Sequence, residues 1–152
     1  MGGVIWRGLL MAVCVAGCGG EANTGETHRA ALTDSLGRHA EEMLATLRRM
    51  DVSRVIAMYG RTEAFVHVDI GQEVPWQRLE PQMRQYFAAA KENDVRWLRP
   101  PKVLVMGENA AVVWGAHRVR SGSDSHDGVW TGALERIGGE WRIVHSHSSD
   151  VD

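Results

Sequence analysis

From Val95 onward the chain is a succession of strand-like segments separated by tight turns. Residues 95–106, 110–120, 126–137 and 140–149 are rich in Val, Ile, Leu and Trp. They are broken by Gly107-Glu108-Asn109, Ser121-Gly122-Ser123-Asp124 and Gly138-Gly139. Runs of β-branched and aromatic residues bounded by Gly, Asn and Ser predict strands joined by hairpins. Turns this short leave neighbouring strands antiparallel. Pro100 and Pro101 interrupt the first segment and predict a bend or an edge, because proline donates no ladder hydrogen bond. In the last segment Trp141, Ile143, His145 and His147 alternate with Arg142, Val144, Ser146 and Ser148. An unbroken period of two puts the first set on one face of the strand.

Upstream the period changes. Leu32, Leu36, Met43, Leu44, Leu47 and Met50 recur at helical steps and predict an amphipathic helix over 28–50, with Thr27 as a cap. Asp51 is placed to cap a second, short helix that buries Val52, Val55, Ile56 and Tyr59, with Gly60 ending it. Residues 63–70 alternate again, so that Phe65, His67 and Asp69 share a face, and Gly71 marks a turn. Pro75, or Glu80-Pro81, opens a third helix with Leu79, Met83, Tyr86, Phe87 and Ala90 on its apolar stripe. Helices followed by a run of strands predict an α+β fold with helices on one face of an antiparallel sheet. Trp114 and Val113, and Trp130 and Val129, put large apolar groups on both faces of the central strands. One-sided burial leaves the second face polar, so the outer face is expected to meet another copy, as a homodimer.

The first residues carry a different kind of information. Arg7 gives a positive start, and residues 8–17 form an uncharged apolar run too short to cross a bilayer, which takes about 20 residues. The run ends in Val15-Ala16-Gly17-Cys18, which resembles the lipobox of bacterial lipoproteins. That resemblance implies a signal peptide over 1–17 and a lipid-bearing Cys18. The membrane contact is then through lipid alone, in the cell envelope, and in a Gram-negative cell at the outer membrane facing the periplasm. With Cys14 lost alongside the signal, no second cysteine remains for a disulfide. Gly-rich, polar residues 19–27 are expected to be a flexible tether, and 28–152 the folded domain. A formal charge of −2 with scattered basic residues argues against a nucleic-acid partner.

The order of elements, and above all Gly139-Glu140-Trp141-Arg142-Ile143-Val144-His145-Ser146-His147-Ser148, resembles the SnoaL-like branch of the nuclear-transport-factor-two-like superfamily. The resemblance implies a cone-shaped curved antiparallel sheet, N-terminal helices on its concave face, a pocket between them, and dimers through the outer sheet face. It implies no single function. The superfamily includes isomerases, dehydratases and cyclases as well as binding and assembly domains without activity.

His67, Asp69, His145 and His147 form the sharpest chemical set, each pair spaced by two on one strand. They suit acid–base work near neutral pH, ligand binding, or a structural role at strand ends. A metal reading lacks a His-Glu-x-x-His pattern, and no metal or cofactor is expected. Trp76, Trp97, Trp114, Trp130 and Trp141 either line an apolar pocket or fill the core and a dimer interface. Arg118, Arg120 and Arg142 either bind an anion or face solvent. The expected pocket comprises Tyr59, His67, Asp69, Trp76, Trp114, Trp130, His145 and His147, with His67, Asp69 and His145 as catalytic candidates. Two functions stay open: binding of a small, partly apolar ligand or a protein partner without catalysis, and an isomerase, dehydratase or cyclase using a pocket His or Asp.

Overall fold

The computed structural model describes residues 19–90 and 92–151. The expected signal peptide and Cys18 lie outside them. The elements are α1 (Gly19–Arg48), α2 (Val52–Ala57), β1 (Val66–Asp69), β2 (Gln72–Pro75), α3 (Trp76–Ala89), β3 (Asp94–Trp97), β4 (Lys102–Val105), β5 (Ala110–Ser121), β6 (Asp124–Ile137) and β7 (Glu140–Val151). The architecture is α+β, with the helices on one face of a curved, unclosed sheet.

Residues 19–27 are helical rather than a free tether. Once the downstream stripe has nucleated the helix, each added residue needs only one more hydrogen bond, so α1 propagates back through Glu21, Ala22 and Glu26. Its buried side carries Leu36, Ala40, Met43 and Leu44, which face β3, β4 and β5. Met50, with φ of 57°, ends the helical run. The Asp51 carboxylate then accepts a hydrogen bond from the Arg54 N–H at 3.0 Å and caps α2, as its position in the sequence predicts. Gly60 does not end α2. The helix stops at Ala57 because the next residues pair with β7: the Ile143 N–H donates to the Met58 carbonyl, and Gly60 N–H donates to the Ile143 carbonyl. α3 opens at Pro75, leaving Pro81 inside the helix.

The sheet order is β2-β1-β7-β6-β5-β3, with β4 also on β5. β3 and β4 lie along one edge of β5, separated where Pro100-Pro101 forces the bend. The sheet is mixed rather than antiparallel, because β1 runs parallel to β7. Alternation sets which side chains share a face but carries no information on pairing direction. β2, which the sequence reading folded into a turn, is the return arm of a two-residue hairpin at Ile70-Gly71.

The inner face is read from the pairing. Val113 and Gly132, Gly115 and Trp130, and His117 and Gly128 are partners across β5 and β6. With the helices they enclose one core, in which Phe65 and Leu36 are fully buried and Phe65 packs edge-to-face on Tyr59 and Trp76, the three ring centroids 5.5–5.6 Å apart. A buried aromatic or leucine of this kind contributes about 1.5–3 kcal/mol. On the outer face Leu104, Trp114 and Val129 remain exposed.

Candidate functional site

β7 carries the decisive irregularity. Leu134 pairs with Ile143, but Ala133 pairs with His145, so Val144 is an extra residue, a β-bulge. It lies where β7 changes neighbour, from residues 58–60 to β1. A one-residue insertion inverts the alternation beyond it. Trp141 and Ile143 point into the core. Past the bulge Ser146 and Ser148 point inward instead, and Ser146 is fully buried.

His145 and His147 are therefore turned to the outer face, opposite Ala133 and Thr131. They do not join His67 and Asp69, and the expected four-residue set does not assemble. Trp114 is also outward, because it shares parity with Val112 and Ala116 on β5. Trp76 is inside, but it is core: it packs on Phe65 and Tyr59 rather than lining a cavity.

The inner face, α1, α2 and α3 enclose a cavity of about 420 Å³. Of the expected pocket residues, Tyr59, His67, Asp69 and Trp130 line it. Its apolar wall includes Met43, Leu44, Leu47 and Val55 from the helices, with Val95, Trp97, Val119 and Trp130 from the sheet. Its polar residues gather at one end of the strands. Asp69 neighbours Ser148 across β1 and β7, Asp150 follows two residues along, and His126 Nε2 stands 3.9 Å from Asp150 Oδ1. His117 and Asn93 complete this end.

Three glycines shape the floor. A Cβ on Gly115 would lie 2.9 Å from the Trp97 ring, one on Gly128 2.9 Å from the His117 ring, and one on Gly132 2.2 Å from the Trp130 ring. Each ring comes within contact distance of a position that has no side chain. Those glycines were the signal in the sequence that would have found His117 and singled out Trp97 and Trp130. His117 shares parity with Val113 and Val119, which are both inward.

Two polar arrangements follow. His67 Nδ1 lies 2.9 Å from Ser146 Oγ, a part-buried contact that ties β1 to β7. Burial pushes the Tyr59 hydroxyl up to about 12, so it stays protonated. Burial also lowers the His67 pKa, against a smaller upward pull from the Asp69 carboxylate. His117 is lowered by burial, then by nearby His126, with Asp150 and Asp127 opposing. Both imidazoles therefore favour the neutral form.

The second arrangement is unsatisfied. Asn93, Trp97 and His117 line the cavity, and their Oδ1, Nε1 and Nδ1 atoms are buried beneath its surface with no hydrogen-bond partner among the described residues. Among the described residues no arginine or lysine lines the cavity. Arg118 instead forms a bidentate pair with Asp127 on the outer face, at 2.6 and 2.8 Å, and Arg142 pairs with Glu140. Among the described residues no three His, Cys, Asp or Glu side chains gather as a metal site.

Comparison with known proteins agrees with this geometry. The SnoaL-like domain profile matches residues 39–152. The chain belongs to the SnoaL-like family. No curated protein sequence matches it. Among solved structures it is similar to a candidate dehydratase of the NTF2-like family from Streptomyces avermitilis. The two share 15% identity with a TM-score of 0.72, over 82% of this chain and 99% of the other. It is also similar to NTF2-like proteins of unknown function from Pseudomonas putida KT2440 (19% identity, TM-score 0.67, 79% of this chain and 87% of that one). A third, from Shewanella oneidensis MR-1, shares 20% identity (TM-score 0.65, 77% of this chain and 98% of that one). At such identities the likeness is one of fold.

Proposed function

We propose that this SnoaL-like domain binds a small, partly apolar molecule in its cavity without transforming it. The observation that carries the reading is the cavity itself, whose wall is largely apolar and whose polar groups, Asp69, His126 and Asp150 among them, gather at one end. The volume of about 420 Å³ falls within the range of small-molecule pockets. Native mass spectrometry of the full chain, taken from its host, tests this. An added small mass that disappears in a Trp130→Ala variant supports the reading. A chain without bound mass, and with no affinity for apolar probes, refutes it.

A second reading is favoured by one contact. The Ser146 hydroxyl holds His67 Nδ1 at 2.9 Å, which orients the imidazole on the cavity wall as an acid–base group. An isomerase, dehydratase or cyclase reaction at His67 predicts that His67→Gln abolishes turnover while ligand still binds. Turnover that survives this replacement excludes the reading.

The same proposal places the protein on the cell envelope through lipid on Cys18 and pairs two copies through the outer face bearing Leu104, Trp114 and Val129. Metabolic labelling with a palmitate analogue, lost in Cys18→Ser, tests the anchor. Light scattering of Trp114→Glu against the native chain tests the pairing; an unchanged mass removes that interface.

A further inference from the structure

α3 is firmly held at one end only. Trp76 and Leu79, in its first turn, are buried, and Trp76 packs on Tyr59 and Phe65 with ring centroids 5.6 Å apart. The Arg61 guanidinium lies over the same indole, 5.9 Å from its centroid. Pro81 follows inside the helix. It has no N–H to give the carbonyl of Gln77, and its ring crowds that carbonyl, so the helix bends most easily there. Beyond Pro81 the burial stops: none of residues 82–89 is buried, and Tyr86 is 45% exposed. Among the described residues, the side chains of 82–89 form no hydrogen bond or ion pair outside α3. Arg84 pairs with Glu80 of the same helix, and Tyr86 packs edge-on against Phe87.

A second observation comes from the space around this half. It borders two hollows. One is the cavity of about 420 Å³; the other, of about 280 Å³, is walled by Leu47 of α1, Val55 of α2, and Gln82 and Phe87 of α3. Met83 and Tyr86 line both. α3 approaches α2, β1 and β2 but not α1, although Leu47 of α1 also lines both hollows. Protein interiors pack to the density of organic crystals, and a side chain facing a void forgoes contacts on that side. The first turn of α3 has those contacts. The half beyond Pro81 lacks them and has room to move. Its two shared side chains suit a movable surface, since methionine is unbranched and adaptable and tyrosine joins an apolar ring to a polar tip.

We infer that residues 82–89 are a lid hinged at Pro81, and that Met83 and Tyr86 close over a molecule held in the cavity. The closure rests on the cavity being a ligand site; the hinge does not. A bound apolar body supplies the contacts that Met83 and Tyr86 lack in the free chain. Filling the cavity therefore shifts this half of α3 from a loosely held state to a packed one. Trp76 and Leu79 keep their places throughout, because they belong to the core.

Hydrogen exchange of the full chain tests this, with 2-naphthol as a neutral aromatic probe whose binding is followed by calorimetry. Saturating 2-naphthol is expected to slow amide exchange at 82–89 by at least about threefold. Residues 24–31 of α1, exposed, helical and away from the cavity, serve as the control and are expected not to respond. Fraying of a helix end explains fast exchange but not a response to the probe. Pro81 is exposed, so Pro81→Ala leaves the core intact and restores the missing helical hydrogen bond. It is expected to slow exchange at 82–89 in the free chain by at least about threefold. Met83→Ala with Tyr86→Ala is expected to weaken 2-naphthol by at least about fivefold. Exchange at 82–89 that neither the bound probe nor Pro81→Ala alters overturns the lid and leaves the cavity a ligand site. An unchanged affinity in the double variant overturns the closure in the same way. A chain that does not bind 2-naphthol refutes the ligand site, and closure over a ligand with it.

Discussion

Replacing Gly132 by alanine probes the floor of the cavity directly. The new Cβ would sit 2.2 Å from one Trp130 ring carbon and 2.6 Å from a second, well inside contact distance. The obstruction is a side chain, so the backbone can stay and the ring must move. Trp130 is 9% exposed and lines the cavity, so the open side available to the ring is the cavity itself. Forcing an extra methyl into a packed site costs about 1–3 kcal/mol. Relief of glycine's entropy in a strand returns about 0.5–1 kcal/mol, so the net loss is expected at about 1–2 kcal/mol. For a domain of roughly 130 residues that is a fall in Tm of about 4–7 °C. Calorimetry measures the fall, and near-UV dichroism reports the moved indole. Coupling is the sharper assay. Trp130→Leu removes the ring, so Gly132→Ala on that background is expected to be neutral or mildly stabilising. A single Gly132→Ala variant as stable as the native chain, or equal effects on both backgrounds, would refute the account of ring over glycine.

Ile70 has φ of 45° beside Gly71 at 76°, both in the left-handed region, in the two-residue loop joining β1 to β2. A β-branched residue is costly there, and Asn-Gly is the favoured pair, so Ile70→Asn is expected to stabilise by about 1 kcal/mol; an unchanged denaturation midpoint would count against it. His145→Gln with His147→Gln is expected to change stability by under about 0.5 kcal/mol, since both face outward, whereas Ser146→Ala is expected to cost about 1–3 kcal/mol by leaving His67 Nδ1 unpaired; chemical denaturation of the variants decides. Acid is expected to destabilise the domain in a window set by histidines. His39, His67 and His117 all have folded pKa values lowered, chiefly by burial, from an ordinary value of 6.5. As pH falls the unfolded chain takes up protons first, so stability is complete above about pH 6.5 and is lost as pH drops toward the folded values. Glu42, Glu80 and Asp127, lowered by their arginine partners, act with the same sign at lower pH, from ordinary values of 4.5, 4.5 and 3.8. A Tm that is flat between about pH 8 and about pH 5.5 would contradict the histidine assignment.

Much of the fold was legible because local patterns and the tertiary structure agree. Asp51 caps a helix in the sequence and in the structure, and Pro100-Pro101 splits the edge strand where two prolines remove ladder donors. The phase of 63–70 also held, placing Phe65 in the core and His67 and Asp69 on the cavity. The site was less legible. His145 and His147 follow Trp141 and Ile143 in perfect alternation, yet one extra residue at Val144 sends them outward and brings Ser146 and Ser148 in. A bulge leaves no mark on a local pattern of apolar and polar residues, because it is a property of the pairing between strands. His117 was overlooked because a lone histidine in an apolar strand looks like any other. Its meaning depends on Gly128, which lies across the sheet beneath its ring.

The sequence by itself determined the element types, the turns, the α+β class and the phase of each uninterrupted strand. These rest on interactions among residues a few positions apart, which the periodicity of side chains records directly. Only the tertiary structure decided that β1 runs parallel to β7, that the histidine pair of β7 faces outward, and that Asn93, Trp97 and His117 meet Asp69 and Asp150 around one cavity. Those facts depend on which strands pair, in which direction and in what register. Backbone hydrogen bonds set all three, and every residue except proline offers the same donor and acceptor to them.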